Sequence, residues 1–579
     1  MSRAEILLVL CATACGGDSG GRPNCDAWMQ WGQSADHLGS SCVAGAVTAA
    51  KPLATVAYDT LINDEKADAD GEILVHYQAP LVVGDDLYME WKAGVYTPCM
   101  TVDNVTTCDL HRRDTQVWSE KGFRWESGQL VEKWMFASDW KPMPDFGDFE
   151  PMFQPAVFGD FIYLPGAGGS VFKLTRKDGV TVSHIQPFGA TDPDRYVTGG
   201  LTIDGDGNLF YNSVKLDHTN PFGTDVDAEL VKVAPDGTFK TVTYQSLVPD
   251  APAPADMCRG TFNTRTTPRP WPPADDVNGA VLPPTLFPCR SQRPSWNVAP
   301  SLGPDGTIFT VSRTHASDRY SWVVAVKPDL TPKWTRSLAK IFNDGCGSPF
   351  LPIDGDADHL FDCAIGARAG VDPATNELPS GRANDSASSS PVALPDGSVL
   401  YGAFTGYNIS RGHLVKLGAT GAILATFDFG WDVTPAVWQH DDTYSIILKD
   451  NFYTFDENGV DNGPYYIRQL DANLRSEWSY QSANTMSCGV GDDGTKTCVS
   501  DHPHGFEWCI NAPAVDKDGT VYVNSEDGNV YAIPQGGSAT ATKSIFLNQA
   551  VGAAYTPVVL DQKGRIITLN NGKMTVLGP

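Results

Sequence analysis

The sequence predicts an all-β propeller of eight blades, on three observations. A frame of one Pro or Gly, a short apolar run, a turn dipeptide and an alternating strand recurs along the chain. The shortest spacings between copies are 45, 44 and 44 residues, the size of a four-stranded blade. The last copy has room for only three strands, and a candidate for the missing one lies near the N-terminus.

Taken in order, residues 5–14, EILLVLCATA, form a short apolar run after Arg3. Such a run ending in small residues is a secretion signal, here 1–14, not an element of the mature fold. Thr13 and Ala14 before Cys15 resemble a bacterial lipobox, with Ala12 where that pattern usually has Leu. The resemblance implies cleavage before Cys15 and lipidation of its sulfur. Residues 15–27 read as a flexible tether. GDSGG at 17–21 spells a serine-protease nucleophile motif, but no barrel precedes it to supply His and Asp.

The propeller is expected over 28–579 as a single domain. Residues 52–61, PLATVAYDTL, read as the strand that completes the last blade and removes the exposed edges. The clearest repeat is 512–533, APAVDKDGTVYVNSEDGNVYAI. Its Asp518-Gly519 and Asp527-Gly528 pairs are turn signals, because Gly adopts positive φ without strain. The eight copies are anchored at Pro80, Pro155, Gly200, Pro300, Pro391, Pro435, Pro513 and Pro557. The count falls to seven if the weak copy at 79 or at 434 is not a blade. Insertions are expected at 249–298, 339–389 and 481–511.

Here a family resemblance becomes specific. AWMQWGQSADHLGSS at 27–41 resembles the opening segment of pyrroloquinoline-quinone (PQQ) type propellers, and the DGTVYV…DGNVYAI unit resembles their core repeat. The likeness covers nearly all of the mature chain. It implies either a PQQ-dependent dehydrogenase or a cofactor-free outer-membrane assembly lipoprotein. The dehydrogenases carry adjacent cysteines, a Trp stacked on the quinone and a Glu–Asn–Asp set on Ca²⁺. No two cysteines are adjacent here, no Cys-x-x-Cys-His haem site occurs, and the family's tryptophan-docking repeats are not evident. PQQ is therefore not expected.

The formal net charge of −27 opposes binding to nucleic acid. No apolar run is long enough to span a bilayer as a helix, so membrane attachment is expected through the lipid anchor alone. Thirteen cysteines fit an oxidising compartment. Nearest neighbours suggest Cys25–Cys42, Cys99–Cys108, Cys258–Cys289 and Cys346–Cys363. Cys488, Cys498 and Cys509 would give one further bridge and one free thiol, and spacing does not fix which.

Two metal candidates stand out. Asp354, Asp356 and Asp358 in IDGDADHLFD have the oxygen-rich spacing of a Ca²⁺ loop. Asp204, Asp206 and Asn208 are a weaker copy, and both double as hairpin turns. His502 and His504, beside Asp501, suit a transition metal or a plain stapled loop. No catalytic constellation emerges. The expected function is a non-enzymatic binding or scaffold lipoprotein of the bacterial envelope, on the outer membrane, meeting an envelope protein or a glycan through its rim loops. The alternative is a PQQ-dependent oxidoreductase.

Overall fold

The computed structural model describes residues 25–579 except 48–49, 103–104, 145–148, 260–285, 348–352, 354–367, 372–376, 406–410, 431, 454–461, 492 and 554. Eight antiparallel sheets follow one another in chain order, with strands in sequence order from the axis outward except for the outermost strand of the last sheet, which comes from near the N-terminus. The inner strands are Leu81–Val83, Ala156–Phe158, Arg195–Ile203, Ser301–Leu302, Val392–Ala393, Ala436–His440, Ala514–Val515 and Val558–Leu560. All eight expected anchors therefore sit at or inside an inner strand, including those at 79 and 434. The count is eight.

Lys51–Ala57 pairs antiparallel with Lys573–Gly578 and supplies the outer strand of blade eight. This strand ends before the expected limit of 61. Tyr58 turns inward, and Asp59 accepts a hydrogen bond from the Leu61 amide at 2.8 Å. Closure by the two chain ends leaves the ring without a free edge between first and last blade.

Middle strands are buried on both faces because each blade is covered by its two neighbours. Ile308–Thr314 and Ser321–Val326 are buried throughout. Outer strands such as Ser476–Gln481 alternate towards solvent. The apolar core accordingly lies between blades. One cluster joins Leu81, Val157, Leu164 and Val231 of blades one to three, and another joins Val392, Ile446 and Val521 of blades five to seven.

The sequence shows no obvious tryptophan-docking repeats, and on this point the structure corrects it. Trp134, Trp334 and Trp478 project from outer strands onto glycines in the next blade. A Cβ at Gly179, Gly421 or Gly537 would lie 2.7–2.8 Å from the respective indole. Trp134 and Trp334 also donate Nε1–H to the next blade, to Arg176 O and Ala419 O, both at 2.9 Å. Only glycine leaves room for the ring, and each of the three has positive φ. The pattern was hidden because Trp and Gly belong to different repeats.

The opening segment forms a hub. Trp28 bonds Val82 of blade one in both directions. Met29 O then accepts from Val157 of blade two, and the Gln30 side chain bonds the Ile203 main chain of blade three. Ala35 O, Asp36 O, Leu38 O and Gly39 O accept from Leu302, Ala393, Val437 and Val515 of blades four to seven. Ala46 donates to Gly564 in blade eight. One short segment thus satisfies inner-strand groups of blades one to seven, and a turn carbonyl of blade eight, that would otherwise be buried unpaired.

Candidate functional site

The two faces of the disc differ. Turns between first and second strands, and between third and fourth, open on the lower face and are short, as at 84–85, 159–160 and 516–520. Each reads as a turn because Asp or Gly ends the run; Asp516 Oδ1 accepts from the Asp518 and Thr520 amides. The hub contacts Gly564 and Lys517 of this face. Hairpins between second and third strands, and links between blades, open on the upper face. There lie the long insertions 95–115, 244–291, 338–391 and 482–513.

Disulfides staple these insertions. Cys99–Cys108 flanks the hairpin Met100–Val102/Val105–Thr107. Cys258–Cys289 adjoins Met257–Arg259/Leu286–Pro288, and Cys488–Cys498 ties Met486–Val490 to Lys496–Ser500. Cys346 is also bonded; Cys363 lies outside the described residues. Cys25–Cys42 closes the hub on the lower side. Cys509 is the free, buried thiol.

Beneath the upper face is a buried charged layer. Lys92, at the end of a blade-one strand, bonds Glu65 of the helix Ile62–Asp68 and lies 3.1 Å from Glu150 and 3.4 Å from Asp59. Tyr77 donates to Asp59 at 2.8 Å. Burial alone would lower the Lys92 ammonium, but the three carboxylates hold it well above its usual value. Burial pushes the Glu65 carboxyl up to about 8 against the pull of Lys92.

A second centre joins blades four and five. Arg293 makes two 2.7 Å bonds to Asp385, and Arg313 adds one at 2.9 Å. Burial favours the protonated acid, yet the two guanidiniums keep Asp385 below its ordinary range. Burial, aided by Arg293, drives His315 down to about 3, so it stays neutral and accepts from Arg293 Nε at 3.0 Å.

Towards the axis, His76 Nε2 stands 3.8 Å from Asp432 Oδ2, and the imidazole packs between Phe149 and Tyr555. Lys449 lies 5.0 Å from the Tyr555 ring centroid. Glu507, Cys509 and Glu526 bring ligand-capable atoms within 4.8 Å of one another, the one such group of three among the described residues. Burial pushes both the Cys509 thiol and the Glu526 carboxyl well up.

These residues do not fit PQQ. That cofactor is a tricarboxylate and needs uncommitted cations. Lys92, Arg293 and Arg313 are each engaged by carboxylates, and Lys449 faces the Tyr555 ring beside Asp432. A further trianion would sit among buried anions at severe cost. Trp508 packs edge-on against Tyr531 and offers no open stacking platform.

The residues singled out from sequence are scattered. Cys15, Asp354, Asp356 and Asp358 lie outside the described residues. His502 bonds Asp501 at 2.7 Å and stacks on Phe506 at 3.7 Å, while His504 is exposed; neither belongs to the group of three ligands. Asp204 is consumed by its turn, accepting from the Asp206 and Asn208 amides. Sequence reasoning missed Lys92, Arg293 and Glu526, whose partners lie on the N-terminal helix segment, the links between blades and the insertions.

With the geometry in place, comparison with solved structures is decisive for the fold. A europium-containing methanol dehydrogenase superposes with a TM-score of 0.50 over 94% of this chain and 89% of that one, at 9% identity. The fold is an eight-bladed β-propeller like that of this dehydrogenase. A quinohemoprotein alcohol dehydrogenase from Pseudomonas putida HK5 gives a TM-score of 0.49 at 10% identity, covering 96% of this chain and 80% of that one. BamB from Moraxella catarrhalis gives 0.33 at 11%, covering 84% and 98%. No family model matches the sequence, and neither does any curated protein. At such identities the PQQ-type propeller likeness extends to the fold alone.

Proposed function

We propose that this chain is a non-enzymatic binding propeller of the bacterial envelope, tethered by a lipid on Cys15, that presents its upper face to an envelope protein or a glycan. The observation that carries this reading is the one-sided elaboration: all four long insertions open on one face, three holding a stapled hairpin and one a bonded Cys346. Rigid scaffolds place recognition on such loops. Stapling lowers the entropy lost on binding. The buried cations beneath this face are taken up by internal pairing, which suits a floor better than an active site.

The hub adds an orientation. Cys25 is bonded to Cys42 beside the lower-face turns, so the tether leaves from the lower side. A lipid on Cys15 then turns the stapled loops away from the membrane. Cys15→Ser is expected to move the protein into the soluble fraction on cell fractionation. Unchanged membrane retention overturns the tether. The purified protein is expected to show no quinone absorbance and no PQQ by mass; one equivalent, with alcohol oxidation, overturns the binding reading.

A further inference from the structure

We infer that His111 and His218 form a divalent transition-metal site that joins the loops of blades one and three. His111 lies in the insertion 95–115, just after the Cys99–Cys108 bridge, and His218 in the hairpin 216–226. Though 107 positions apart in sequence, their rings meet at 5.6 Å between centroids and 74° between planes.

Each ring is oriented through the same nitrogen. His111 Nδ1 lies 3.3 Å from Asp114 Oδ2, and His218 Nδ1 bonds Asp194 Oδ1. Asp194 is fixed in turn, since its amide donates to Asp192 at 3.0 Å and its carbonyl accepts from Leu216 at 2.9 Å. A carboxylate on Nδ1–H selects the tautomer whose Nε2 carries the free lone pair, the usual arrangement behind a metal-bound imidazole. Neither Nε2 has a protein partner among the described residues.

Distance supports a shared ion. Two Nε2–metal bonds of about 2.0–2.1 Å at a tetrahedral angle put ring centroids roughly 5 Å apart. Both rings line a cleft of about 400 Å³ together with Asp114, Asp192 and Tyr196. The cations nearby are occupied: Lys141 donates to the Gln116 carbonyl, and Arg195 bonds Glu229 and, at 2.7 Å, Asp227. Imidazole nitrogen selects Zn²⁺, Cu²⁺ or Ni²⁺ over Ca²⁺ or Mg²⁺. Water oxygens complete the sphere. The ion would set the relative position of two loops of the upper face.

The test is Zn²⁺ titration of untagged, full-length mature protein by calorimetry, with Cu²⁺ electron paramagnetic resonance to detect bound nitrogen. One equivalent with two-nitrogen coupling is expected. His111→Gln and His218→Gln should each weaken Zn²⁺ binding by about 100-fold or more, and Asp194→Asn by about 10-fold, all with unchanged thermal melting in metal-free buffer. Glu526→Gln, at the separate Glu507–Cys509–Glu526 group, should leave this equivalent intact. Absence of stoichiometric binding overturns the inference. So does undiminished affinity in both histidine variants, or loss of the equivalent in Glu526→Gln alone.

Discussion

Glu120 shows what burial does to a single group in this ring. It is fully buried, accepts from Gln78 Nε2 at 3.1 Å and has no partner on Oε2. Burial pushes its carboxyl up to about 8, against the weaker opposing effect of the Gln78 bond. The folded protein therefore keeps a proton that the unfolded chain releases near pH 4.5, and stability falls as pH rises between those values. Glu120→Gln is expected to flatten that slope in denaturant titrations across the same range; an unchanged slope contradicts the assignment. Lys92 tests the opposite case. Lys92→Met leaves Asp59 and Glu65 without their cation and Glu150 with Arg113 alone, at 3.3 Å, and is expected to cost about 3–5 kcal/mol by denaturant unfolding. A change below about 1 kcal/mol would mean that the layer is solvated. Neither role was legible in sequence, because Lys92 and Glu120 read as ordinary polar positions of alternating strands. Their burial comes from segments 57–79 and 149–151 folding over the strand ends.

Elements were more legible than side chains. Asp518-Gly519 announced its turn because the dipeptide acts locally, and Pro513 and Pro557 marked inner strands for the same reason. The closing strand was legible as a strand without a blade. Trp334 on Gly421 was not, since the two residues sit in different repeats and only the packed ring joins them. The hub was visible as a Trp-rich segment, but its order of contacts around eight blades depends on the finished circle. Trp31 is a fully buried member, donating to Thr434 Oγ1 at 3.1 Å. Trp31→Ala is expected to destabilise by about 3–5 kcal/mol, with hydrogen exchange rising at inner strands of several blades at once. Exchange confined to blade six would contradict a ring-wide hub.

At the scale of the whole molecule, sequence disclosed the number of blades and three of the four long insertions, but neither the one at 95–115 nor that all the stapled ones share a face. That follows from strand direction: in every sheet the hairpin between second and third strands and the link onward emerge on the same side. The result is a disc with a plain lower face, holding the hub, and an upper face of disulfide-stapled loops over a charge-paired layer. The central claim is that this upper face is where a partner binds. It is tested most directly by capture from envelope extracts on immobilised mature protein, compared with a variant whose insertions 95–115 and 482–513 are cut to short turns. The account predicts that the wild type retains a saturable partner and that the trimmed, still folded variant loses it. Equal retention of that partner by the trimmed variant would contradict it.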